Sequence, residues 1–270
     1  MLVSRRAKLS LRGIALLYLL LLLLIPVGAI FARTFEHGIG TAWSWVTTPA
    51  AVSAFWLSVV IALIAVPLNT IFGVGAALLL ARSKVRGRKL LDALIDLPFV
   101  VSPVIVGLAL LLVYGQGGWF GNWFINHGIR IIYAVPGMVI ATVFVSLPFV
   151  VREVAPVLLE AGDEQEQAAA TLGASGWQTF WRVTLPSIRW GVAYGVVLTT
   201  ARALGEIGAV AVVSSNVAGS TLTLPLLVSQ RDQTIGAGQI TGAYAAATEL
   251  AVMSLIVLLA MTFLGPRRAR

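Results

Sequence analysis

Arg202 and Glu206 stand four residues apart in an otherwise apolar stretch. On a helix that spacing puts both side chains on one face. Two roles fit such a pair: an internal ion pair that neutralises itself, or an arginine that attracts an anion while the glutamate holds it in place. Gly205 and Gly208 beside them would let another helix come close. Asp92 and Asp96 repeat the four-residue spacing. Carboxylates at a helix start gain from its dipole, and Arg86 and Arg88 are near enough in sequence to pair with them. Glu249 stands alone in a further apolar run. Pro98 and Pro103 would kink or interrupt the apolar run they share. Interrupted helices expose backbone groups that can line a transport pathway.

Enzyme chemistry finds little to work with. The chain has no cysteine, and no acidic or cysteine cluster joins His37 and His127. No metal cluster or thiolate nucleophile is therefore expected. No Gly-x-x-x-x-Gly-Lys-Ser/Thr phosphate loop occurs. The chain is expected to be no enzyme, to bind no cofactor and to hold no metal.

The elements that must position these charges are apolar spans. Of the 270 residues, 59% are hydrophobic and 11% charged, against about 25% charged in a typical soluble domain. Lipid is the solvent that suits this composition. Six stretches reach the roughly 20 residues that a span needs: roughly 13–32, 53–81, 91–114, 134–151, 190–213 and 243–264. The chain reads as one all-α domain over 1–270, a polytopic membrane protein with six transmembrane helices. The start resembles a signal peptide, but its apolar run is long for one, so it is read as a retained first span. Basic residues sort by side. Arg5, Arg6, Lys8, Arg12, Arg82, Lys84, Arg86, Arg88, Lys89, Arg152, Arg182, Arg189, Arg267, Arg268 and Arg270 fall on one side of the alternating topology. Only Arg33, Arg130 and Arg231 fall on the other. The positive-inside rule puts both termini in the cytoplasm. This distribution, rather than nucleic acid, accounts for the net charge of +8. Trp43, Trp45, Trp56, Trp119 and Trp123 then lie towards the outer interface, and Trp177, Trp181 and Trp190 towards the inner one.

One connection is more than a link. The cytoplasmic loop 152–189 holds Glu153, Glu160, Asp163, Glu164 and Glu166. Asp163 and Glu166 fit a capping box that opens a helix, and Gly173 fits the left-handed position that closes it. Ser175 and Gln178 fit a second box. Trp177, Phe180 and Trp181 would share one face of the helix that follows, and Pro186 would end it before the next span. The pattern predicts two short helices meeting at a sharp corner.

The stretch Gln167-Ala168-Ala169-Ala170-Thr171-Leu172-Gly173, followed by Val183-Thr184-Leu185-Pro186, resembles the EAA loop of bacterial ABC importer permeases. In that family the loop couples the permease to its ATP-binding subunit, so Asp163, Glu166, Gln167, Ala168, Ala169, Gly173, Leu185 and Pro186 are the implied coupling residues. Gln167 stands where the family usually has glutamate, and Glu166 lies one residue earlier. Asp96-Leu97-Pro98, Ser102-Pro103-Val104-Ile105-Val106-Gly107, Ala201-Arg202-Ala203-Leu204-Gly205-Glu206-Ile207-Gly208-Ala209 and Thr223-Leu224-Pro225-Leu226 look like the sulfate and molybdate permeases. Within these the chain is most similar to the sulfate/thiosulfate, CysW-like type. The resemblance implies a type I importer fold and a place in the bacterial cytoplasmic membrane. Pro98, Pro103, Arg202, Gly205 and Glu206 become candidates for the translocation path. It also implies three partners besides lipid: an ATPase dimer that binds ATP and Mg, a second related permease, and an extracytoplasmic sulfate-binding protein. A molybdate or tungstate permease is the alternative inside the class. An ion-driven secondary transporter is the alternative outside it, and would call for an inverted repeat and mid-membrane coupling carboxylates.

Overall fold

A computed structural model describes residues 5–83, 86–234 and 236–264. Lys84, Arg267, Arg268 and Arg270, which contribute to the predicted topology, lie outside the described residues, as do the side chains of Arg5, Arg6 and Lys8. The described chain is built from helices and their connections. In order, these are α1 (Arg5–Leu19), α2 (Ile25–Phe35), α3 (Ile39–Val46), α4 (Pro49–Arg82), α5 (Arg88–Val100), α6 (Pro103–Tyr114), α7 (Gly121–Asn126), α8 (Val135–Ala161), α9 (Glu164–Thr171), α10 (Gly176–Thr179), α11 (Leu185–Leu204), α12 (Gly208–Val213), α13 (Leu224–Gln233) and α14 (Ala237–Leu264).

Local chemistry sets several boundaries. Thr48 starts α4: its hydroxyl accepts from the Ala51 N–H at 3.3 Å, and Pro49 takes the first helical position, where no N–H is missed. Pro26 and Pro186 each lie just beyond a π-type turn, Leu20–Leu24 and Phe180–Thr184, that keeps the helix continuous. In the second turn the Leu185 N–H reaches back five residues to the Phe180 carbonyl. The wider turn makes room for a ring that has no N–H to offer. Pro186 therefore does not end the loop helix, contrary to the sequence reading. Helix runs through α10 and the π-type turn straight into α11.

Four unbroken helices among the described residues are long and apolar enough to cross a membrane: Ser10–Phe35, Pro49–Arg82, Val135–Ala161 and Gly238–Ala260. Two predicted spans differ from expectation. The 91–114 stretch is α5 and α6, bent by 109° at Val101 and Ser102. Pro98 sits inside α5 and Pro103 begins α6, so the bend falls just ahead of the second proline, where extended backbone is favoured. The 190–213 stretch is α11 and α12, parted at Gly205–Ile207. Arg189, Arg202, Ser187, Thr199 and Thr200 leave α11 more polar than the four unbroken spans.

The centre of the fold is α8, clasped by α4 and α11. A Cβ added to Gly73 of α4 would lie 2.5 Å from Val150 Cβ, and one added to Gly195 of α11 would lie 2.8 Å from Val150 Cα. The three backbones meet at Val150, which is fully buried. Nearby, Asn69 of α4 donates to the Ser146 hydroxyl of α8 at 2.9 Å, and both side chains are buried. Apolar residues pack in two main clusters. One joins α4, α6, α8, α12 and α13 around Met138, Val210 and Leu224. The other joins α4, α5, α8 and α11 around Val150, Val154 and Leu158. Gly73→Ala and Gly195→Ala should each cost about 1–3 kcal/mol by overpacking. Gly75→Ala, in the same helix with nothing near its Cβ, should be close to neutral. Thermal unfolding in detergent compares the three. Equal losses at Gly73 and Gly75 would show that the contact at Val150 does not set the packing.

Candidate functional site

Two places hold the predicted residues: the corner after α8, and the breaks within the two interrupted spans.

At the corner, α9 ends as the sequence predicts. Gly173 has φ +84°, in the left-handed region. Its N–H donates to Ala170 O at 3.0 Å, and the Ala174 N–H donates to Ala169 O at 3.0 Å. This crossed pair is the Schellman closure; the space around Gly173 is open, and it is the positive φ that a β-branched residue would strain against. The second predicted box is present: the Ser175 N–H donates to the Gln178 side chain at 2.9 Å, and the Gln178 N–H to the Ser175 hydroxyl at 3.3 Å. Trp177, Phe180 and Trp181 cluster edge-on and stacked, with ring centroids 5.5 to 6.2 Å apart. Leu172 is 88% exposed and Trp177 71% exposed, which gives the corner an apolar outer surface.

The first predicted box is absent. Asp163 makes no side-chain cap, and Glu166 turns away to an inward partner. Arg82, at the end of α4, donates to Glu166 Oε2 at 2.9 Å, and the Thr184 hydroxyl donates to Glu166 Oε1 at 2.8 Å. A charge-assisted contact to an arginine outweighs a cap that water can replace. Gln167, Ala168 and Pro186 face outward, while Ala169 and Leu185 are half-buried.

At the breaks, α6 and α12 lie against each other. A Cβ on Gly107 would fall 2.7 Å from Val212 Cβ, and one on Gly208 would fall 2.9 Å from Pro103 Cβ. Gly208 is thus a point of close approach. Gly205 is not, since a Cβ there would meet only the Ala201 carbonyl of its own turn, at 3.5 Å. Gly205 instead closes α11. Glu206 is buried in the gap between α11 and α12. Its Oε1 accepts from the Ala209 N–H at 2.8 Å, which satisfies a free donor at the start of α12. Its Oε2 lies 2.7 Å from Arg202 Nη2, an ionic contact without good hydrogen-bond alignment. The Glu206 side chain is 1% exposed and that of Arg202 31%. The pair therefore has a structural task, to cap a half-helix, and leaves part of the guanidinium open.

Other charges are placed where the sequence did not lead. Asp92 and Asp96 pair with Arg152 of α8 rather than with Arg86 or Arg88. Arg152 lies 2.8 Å from Asp92 and donates from Nε to Asp96 at 2.7 Å. Arg231 is not a loop charge. It is buried in α13 and donates to Gly242 O at 2.9 Å and to the Thr48 hydroxyl at 2.8 Å. It also stacks over Trp45 with its guanidinium 5.1 Å from the ring centroid. Burial pushes the Arg231 guanidinium below its ordinary range, and the charge of Glu249 acts against that shift. No periodicity or motif pointed to Arg231 or Arg82. Arg231 stands without another basic residue nearby in the sequence, and Arg82 reads as one member of the basic run 82–89.

The chain belongs to a membrane transport family: residues 69–270 match the family described as "Binding-protein-dependent transport system inner membrane component". Within it the chain is 51% identical over 262 residues to the sulfate transport system permease protein CysW of Synechocystis sp., covering 97% of this chain and 94% of the relative. It is 48% identical over 246 residues to the CysW protein of Escherichia coli, covering 91% and 84%. It is also 39% identical over 218 residues to the CysT permease of Synechocystis sp., covering 81% and 76%. A solved chain from a bacterial ABC transporter involved in the import of the acidic polysaccharide alginate has the same fold. Its TM-score is 0.78 at 17% identity, covering 98% of both chains.

Arg202→Ala should destabilise the protein by about 3–5 kcal/mol, because it strands a buried carboxylate. Arg202→Ala with Glu206→Gln should recover much of the loss, since the amide oxygen can still accept from Ala209. Yields of monodisperse protein from membranes test this. Wild-type yield from Arg202→Ala alone would contradict the structural role.

Proposed function

We propose that this chain is the CysW-type permease subunit of an ATP-driven sulfate and thiosulfate importer in a bacterial cytoplasmic membrane. The observation that carries the reading is the near full-length identity to CysW relatives of two distant bacteria. The fold agrees in kind with other importer permeases. The chain supplies the membrane path, and a separate ATPase dimer supplies the energy, binding ATP and Mg itself. The related CysT proteins suggest the second permease. A solved alginate ABC transporter is described in complex with a substrate-bound periplasmic protein, which suggests the same kind of external partner here, specific for sulfate.

The corner of α9 and α10 is the surface for the ATPase. Gln167, Ala168 and Leu172 are exposed there, and Gly173 sets the angle. Glu166 is engaged within the chain, so Gln167 makes the polar contact. Six crossings follow if α5 with α6, and α11 with α12, each count as one broken span. Both termini and the corner are then cytoplasmic. The breaks at Ser102 and Gly205–Ile207 face the path, with the open side of Arg202 supplying a weak positive field for an anion.

The substrate test is sulfate uptake by cells carrying this chain with its partner subunits, with molybdate as competitor. Sulfate should be taken up and molybdate should compete poorly. Preferential molybdate uptake would reassign the chain within its class. Gly173→Val should insert normally but lose copurifying ATPase and most uptake, because the left-handed corner excludes it. Full uptake by this variant would remove the corner from coupling. Single cysteines placed in this cysteine-free chain should react with an impermeant thiol reagent near Trp119 but not at 163–173. Labelling of that corner from outside would reverse the topology.

A further inference from the structure

Arg82, at the end of α4, reaches both the end of α8 and the first turn of α9. Its Nε donates to Glu166 Oε2 at 2.9 Å, its Nη1 to Leu158 O at 2.9 Å, and its Nη2 to Gly162 O at 2.5 Å. Leu158 and Gly162 lie at the C-terminal end of α8, where carbonyls lack helical partners. Gly162 has φ +67° and forms the joint between α8 and α9. Without Arg82 this joint is a two-residue link, Gly162 and Asp163, whose carboxylate makes no cap. On the far side of α9, Thr184 holds the second oxygen of Glu166 at 2.8 Å. Thr184 is 4% exposed and lies in the π-type turn that leads into α11. Arg82 and Glu166 are each only about one-fifth exposed.

The geometry points to Arg82, through Glu166 and Thr184, as the positioning residue that locks the corner to the spans. This rests on the corner being the ATPase surface. With the lock in place α9 moves as one body with α4, α8 and α11, so a push on Leu172 and Gln167 is delivered to the clasp at Val150. With the lock removed α9 swings at Gly162, and the push is lost in the joint. The role concerns transmission and not docking, because the outward residues of α9 are untouched by the lock. Here three separate guanidinium nitrogens, held in one plane, each reach a different acceptor; an ammonium gathers its donors on one nitrogen and cannot span the same spread.

The test uses the assembled transporter in liposomes with its ATPase, second permease and sulfate-binding protein. It reads sulfate imported per ATP hydrolysed, together with the ATPase retained on purification. Arg82→Gln should keep the ATPase but lower the coupling ratio roughly 10- to 100-fold, as small misplacements do. Arg82→Lys should fall between. Thr184→Val is nearly isosteric and removes one hydrogen bond. It should lower the ratio in the same direction by a smaller factor, and it serves where Arg82→Gln fails to insert. Wild-type coupling ratios in either Arg82→Gln or Thr184→Val would overturn the proposal. So would loss of bound ATPase with an unchanged ratio in the complexes that remain. Failure of the wild-type assembly to bind an ATPase or import sulfate would instead strike the function proposed above.

Discussion

The contact of three backbones at Val150 is what the rest of the molecule is arranged around. Lipid offers no hydrophobic force to drive one helix against another, so packing and polar contacts between helices must do so. Gly73 and Gly195 let α4 and α11 come within van der Waals reach of the α8 backbone, not merely of its side chains. Close approach multiplies weak attractions that vanish across small gaps. Asn69 and Ser146 add a buried hydrogen bond between α4 and α8. The same three helices carry Arg82, Arg152 and Arg202, so the charged features at the α9 corner, at α5 and at the break after α11 take their positions from this clasp.

Interrupted helices are the second feature, and lipid makes them hard to sustain. A free N–H or carbonyl at membrane depth needs a partner within the protein or water. The gap between α11 and α12 meets this by burying Glu206, which accepts from Ala209 and is balanced by Arg202. The bend between α5 and α6 has Ser102 before a proline that has no N–H to satisfy. Gly107 and Gly208 then bring α6 and α12 together, so that each break is roofed by the other broken span.

Much of the architecture was legible in the sequence. Long apolar runs located the unbroken helices, because hydropathy reports directly on lipid. The closure at Gly173 and the box at Ser175 were legible because both are local, made within six residues. The misreadings have a common cause. The expected box of Asp163 and Glu166 lost to Arg82, which is distant in the sequence. Asp92 and Asp96 found Arg152 for the same reason. Arg231 was counted as a loop charge because no nearby residue reveals that Trp45, Thr48 and Gly242 surround it. Gly205 and Gly208 look equivalent in the sequence, yet one closes a helix and the other touches Pro103. Local rules hold where partners are local, and tertiary partners decide the rest.

The π-type turn at Phe180–Thr184 has a consequence for orientation. A π-type turn holds one residue more than its α counterpart, so every side chain before it is rotated relative to those after it by about 100°. The faces of α10 and α11 are therefore out of phase with a plain helical wheel drawn through Pro186. Trp177 and Trp181 point where an uninterrupted helix would have placed their neighbours. The azimuth of the aromatic cluster around the axis of α11 is thus set by a proline nine residues after Trp177. Gaining or losing a single residue in 180–184 would turn the whole corner around that axis while leaving the spans in place.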